Sequence, residues 1–123
     1  MDEPTEDELL AYTNAYIATS NALGDAIIVL KRIEAVTFDH NEQIVLVLER
    51  RKLEDEYAKN ERSFHAVMAG DVAMHPPTQD EVNKIVQLAS EVALLTQKKV
   101  TARGVLRLAT DVATRFRAIR DVA

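Results

Sequence analysis

The chain has 123 residues, 47% apolar and 28% charged, which fits one folded domain and excludes both a disordered segment and a pair of domains. It contains no Cys, so disulfides, thiolate metal sites and cysteine nucleophiles are excluded. The net charge of −5 argues against nucleic-acid binding by bulk electrostatics, although seven basic and two acidic residues follow from Lys98 onward.

Only three Gly and three Pro punctuate a chain rich in Ala, Leu, Glu, Lys and Arg, which predicts long helices. Thr5 to Glu8 reads as a capping box after Pro4, with acids where a helix N-terminus favours anions. From there Leu9, Tyr12, Tyr16, Thr19, Leu23, Ala26, Leu30 and Ile33 form one helical face. Asp39 with Glu42 reads as a second capping box, after a turn near Thr37–His40. Leu46, Arg50, Leu53, Tyr57, Asn60, Phe64 and Val67 then share a face, and Gly70 is placed to end the helix.

The two faces mirror each other as an antiparallel hairpin spanning about residues 6–70. Leu30 falls opposite Leu46, Leu23 opposite Leu53, Tyr12 opposite Phe64 and Leu9 opposite Val67. The middle of the seam is polar: Thr19 faces Tyr57, Tyr16 faces Asn60 and Ala26 faces Arg50. A competing reading makes residues 26–36 and 43–49 a β-hairpin around "FDHNEQ", because β-branched residues are dense there. On the helical reading, Ile27, Ile28, Val29, Val45 and Val47 leave that end apolar on several sides, to be covered by the rest of the chain or a second copy.

The stretch "LERRKLEDEYAKNERS", residues 48–63, carries ten charges on a thin apolar seam. Arg50–Glu54, Arg51–Asp55, Lys52–Glu56 and Asp55–Lys59 are spaced to pair along a helix. The bland reading is a solvated face. The functional reading is a partner surface formed by Arg51, Lys52, Tyr57 and Arg62.

Pro76 and Pro77 form a linker, and Thr78 with Glu81 is a third capping box. The second helical segment, about 79–121, carries Val82, Ile85, Ala89, Val92 and Thr96, then Val105, Ala109, Val112, Phe116 and Ile119 on another phase. A turn within residues 97–104 gives a fourth helix, and the expected fold is an all-α antiparallel four-helix up-down bundle. The alternative is three helices with a long third helix able to dimerise. In the bundle Glu6–Glu8 would meet Arg115–Arg120. The arginines from Arg103 to Arg120 would also favour a helix C-terminus.

No constellation of catalytic residues emerges. Four-helix phosphate-relay domains carry H-x-K-G at their histidine, whereas His65 is followed by Ala66, Val67 and Met68. No Glu lies three residues before a His, as di-metal bundle sites require. Ser20, Ser63 and Ser90 lack a glycine-rich elbow, and no phosphate loop is present. The longest apolar runs have five residues, and the acidic start is unlike a secretory leader. The expectation is therefore a cytoplasmic, non-enzymatic protein–protein interaction module without cofactor or metal. It would act as an adaptor, secretion chaperone or toxin-neutralising protein, with another protein as partner and no membrane contact. A homo-oligomeric coiled-coil scaffold is the alternative, and a phosphorelay protein or enzyme the remote one.

Overall fold

The computed structural model describes residues 4–95 and 102–121. Four helices follow in order: α1 (Glu6–Ala35), α2 (His40–Met68), α3 (Gln79–Leu95) and α4 (Ala102–Arg120). The β-hairpin reading of residues 26–49 is overturned, since α1 runs through it to Ala35 and α2 begins at His40. The helical period that buries Leu30 and Leu46 decides both segments, and of their β-branched residues only Val29 is buried, while Ile28, Ile44 and Val45 stay exposed. The single long third helix is overturned as well, because α3 and α4 are separate helices packed on each other. The predicted turn at 97–104 falls mostly on residues 96–101, outside the described residues.

All three predicted helix starts are capped, but only the first and third close as reciprocal boxes. Thr5 and Glu8 form a reciprocal box, with the Glu8 N–H donating to Thr5 Oγ1 at 3.1 Å and the Thr5 N–H to Glu8 Oε1 at 2.9 Å. Asp39 Oδ1 accepts from the Glu42 N–H at 3.0 Å. Thr78 and Glu81 repeat the reciprocal pattern at 2.9 and 3.2 Å. Each side chain satisfies a donor that the first helical turn would leave orphaned. α2 ends in a Schellman motif: the Asp71 N–H reaches Ala66 O at 2.9 Å and the Gly70 N–H reaches Val67 O at 3.1 Å. Gly70 sits at φ +79°, which a Cβ would strain.

α1 lies against all three other helices, α4 also packs on α2 and α3, and α2 and α3 make no contact with each other. The bundle is thus flattened, with α1 and α4 across its short diagonal. This explains a difference from the sequence reading of α1. Besides Tyr12, Thr19, Leu23, Ala26 and Leu30, its buried set includes Ala15, Ala22, Val29 and Glu34. A helix with three neighbours buries more than one stripe.

α2 has only two neighbours, and its buried residues are Leu46, Leu53, Asn60 and Val67, one every seventh position. The thin seam of the charged stretch belongs to a helix at the edge of the bundle, wedged between α1 and α4. Tyr12 stacks on Phe64 at 6.2 Å as the mirror predicts, but Tyr16 stacks closer, at 4.1 Å. The Phe116 ring lies 5.8 Å from that of Tyr12, so one aromatic cluster ties α1, α2 and α4 together. The linker returns over this end, with Met74 against the core and Pro77 buried.

Candidate interaction surface

Two ionic clusters close the polar parts of the α2 seam. On the α1 side Arg50 donates from Nε to Glu34 Oε2 at 2.6 Å and from Nη2 to Glu34 Oε1 at 3.1 Å, and also pairs with Glu54. The hydrogen bonds to Glu34, then Glu54, hold the guanidinium proton more tightly than usual. This bidentate pair is how the buried carboxylate of Glu34, near the C-terminal end of α1, is accommodated.

On the α4 side Glu56 accepts from Arg117 at 2.6 Å and from Arg120 at 3.0 Å, while Arg120 also donates to Asn60 Oδ1 at 2.8 Å. Asp121 takes two further bonds from Arg120, which hold its carboxyl below the usual range. Arg115 pairs with Asp111. The expected meeting of Glu6–Glu8 with Arg115–Arg120 is therefore corrected. Among the described residues those arginines pair with Glu56, Asp111 and Asp121, and Glu8 is engaged in its own cap. The helix-dipole explanation fails for Arg103 and Arg107, because α4 begins at Ala102 and places them in its first two turns.

The four residues singled out in the charged stretch do not form one patch. At about 100° per residue Arg51 and Arg62 point outward, Lys52 lies on the α4 flank and Tyr57 on the α1 flank. Lys52 pairs with Glu49 at 3.1 Å, and Tyr57 is exposed to 37%. Of the four predicted helical pairs only Arg50–Glu54 forms, since Glu56 turns to α4. The histidines gather no ligands either: no group of three or more His, Asp or Glu placed to hold a metal is found among the described residues.

The feature that sequence reasoning placed only in outline is the end of the bundle at the α1–α2 turn. Phe38 is exposed to 92% and Val36 to 68%, and Ile44, Val45 and Leu48 are each more than half exposed. The apolar surplus read around Ile28 and Val45 is real, and α3 and α4 cover only part of it. Val29 is buried, whereas Ile28 stays open. Val45 leads into a groove of about 770 Å³ between α2 and α4, lined by Ile33, Leu46, Ala102 and Leu106 and rimmed by Arg103 and Arg107.

No protein-family model, curated protein or solved structure matches this chain. Its chemistry is therefore read from its own surfaces. No helix among the described residues is long and apolar enough to cross a membrane.

Proposed function

We propose that this chain is a non-enzymatic protein–protein interaction module of the cytoplasm, an adaptor, secretion chaperone or toxin-neutralising protein, that binds another protein through the apolar end at the α1–α2 turn. One observation carries this reading: Val36, Phe38, Ile44, Val45 and Leu48 are each more than half exposed within one short stretch of chain at one end of the bundle. Scattered apolar residues on a surface need no explanation, but a contiguous set marks a place where another molecule excludes water. Aromatic residues are enriched at the centres of interfaces, which makes Phe38 the anchor of the set. The lack of Cys supports a reducing compartment.

The charged face of α2 supplies the rim in this reading. Arg51, Lys52 and Arg62 are exposed, and the outward line of α2 runs from Ile44 through Leu48 and Arg51 to Arg62. The test is co-purification from the native host. Phe38→Ser, Ile44→Ser and Leu48→Ser combined should abolish the partner band while the circular dichroism spectrum stays helical. Arg51→Ala, Tyr57→Ala and Arg62→Ala should each weaken it by less. Undiminished co-purification by the triple variant would overturn the proposal.

A further inference from the structure

We propose that the groove between α2 and α4 receives the apolar stripe of an acidic amphipathic helix from a partner protein. This rests on the interaction reading above and gives the partner's chemistry.

The groove exists because α2 and α4 run side by side but are joined at one end only. Among the described residues the hydrogen bonds between them lie at Glu56 and Asn60 with Arg117 and Arg120. Toward Asn41 and Ala102 the floor is Ile33, Leu46 and Leu106, with Val45 on one wall. From Ala102 to Thr110 the α4 wall is roughly 12 Å long, about two helical turns. Both walls are helices whose backbone groups are already paired along their own axes, so an extended segment would gain no ladder there. An occupant that leaves water must satisfy its own backbone, which selects a helix.

Charge selects the kind of helix. Arg103 and Arg107 stand one turn apart on the α4 rim, both exposed, and no ion pair among the described residues includes them. The other α4 arginines, Arg115, Arg117 and Arg120, are all paired. Position makes the contrast sharper. α1, α2 and α3 each carry acids in their first turn, whereas α4 carries none and has Arg103 there instead. The dipole disfavours a cation in that first turn, so Arg103 costs the folded chain something that an arriving carboxylate would offset. Two acids at i and i+4 on an incoming helix match the spacing of Arg103 and Arg107. The opposite rim is Asn41 and Glu42. The acidic flank of the partner therefore lies over α4, and its other flank is neutral or basic.

The probes are two stapled helical peptides of about 14 residues with the same leucine stripe, one flanked by Glu and one by Lys at identical positions. They are titrated into the isotopically labelled full chain at low ionic strength. The acidic peptide should bind about tenfold tighter than the basic one, exchanging two attractions for two repulsions. Amide shifts should centre on Val45, Leu46 and Leu106. The double variant R103E/R107E should invert the preference, and it should melt no lower than the wild type because it corrects the dipole mismatch.

Equal affinities, an unchanged preference in the double variant, no binding by either peptide, or shifts centred elsewhere would each overturn the proposal. So would a dimer of the free protein that R103E/R107E dissolves, since the occupant would then be a second copy. Dodecanoate binding the groove more tightly than the acidic peptide would also overturn it, in favour of a small amphiphile. Failure here, with partner loss on substituting Phe38, Ile44 and Leu48 intact, would leave the interaction reading standing and move the contact off the groove.

Discussion

Tyr12 shows what a single side chain contributes to this core and what it leaves unresolved. It is 1% exposed, stacked on Phe64 with Phe116 tilted against it, and its hydroxyl faces Ser63 without the geometry of a hydrogen bond. Burial pushes its phenol above the usual range, with Ser63 and Arg120 pulling the other way. A buried polar atom without a partner costs about 1–3 kcal/mol, which the ring's packing must offset. Tyr12→Phe removes the hydroxyl and keeps the ring. It should leave the protein as stable as before or raise stability by up to ~1 kcal/mol, read from denaturant melts. A clear loss of stability would show that the Ser63 contact is a working hydrogen bond. The sequence marks Tyr12 as a core position through its spacing to Leu9, Tyr16 and Thr19. The orphaned hydroxyl has no sequence signal, because it depends on where Ser63 and Arg120 arrive from other helices.

Helix starts are the elements most legible in this sequence, because a cap is made within four residues and needs no tertiary partner. Thr5, Asp39 and Thr78 all cap as their spacing to Glu8, Glu42 and Glu81 implies. Cap chemistry also gives the protein an acid sensitivity whose sign is fixed. The Thr78 N–H, bonding first, and the Thr78 side chain draw the Glu81 carboxyl below its usual value. A carboxyl depressed by folding contributes stability above its unfolded value of about 4.5, and loses it as pH falls through the lower folded value. Glu81→Gln keeps the bond to Thr78 but cannot titrate. Its melting temperature should fall less than the wild type's between pH 7 and pH 3, and an equal fall in both proteins would show that the cap adds nothing to the acid response. Paired side chains between helices were far less legible. Glu34 with Arg50 and Glu56 with Arg120 lie sixteen and sixty-four residues apart, so helical spacing matched Glu56 with Lys52 and the up-down topology matched Arg120 with Glu6–Glu8 instead. The apolar end was visible as too many aliphatic residues around Ile28 and Val45, but the groove needed the position of α4.

At the scale of the whole molecule, the unequal roles of the helices follow from the size of their side chains. α1 can touch three neighbours because one flank is small: Ala15 and Ala22 are fully buried, and Ala18 lies in the shallow groove shared with α3. Small residues let helix axes approach closely, and α3, with no contact to α2, depends on that flank and on α4 for its place. α2 is held instead by one narrow seam and two ionic clusters, and its outer face is free to carry charge and exposed aliphatics. That division predicts opposite outcomes for the same substitution. Ala22→Leu forces three carbons into a fully packed interface and should cost about 1–3 kcal/mol or more. Ala58→Leu, half-buried on the outer flank of α2, should change stability by no more than ~0.5 kcal/mol. Chemical denaturation of both variants against the wild type measures the difference. If Ala22→Leu melts with the wild type, α3 is not docked on the alanine flank of α1, and the flattened bundle, together with the splay of α2 from α4 that opens the groove, would have to be redrawn.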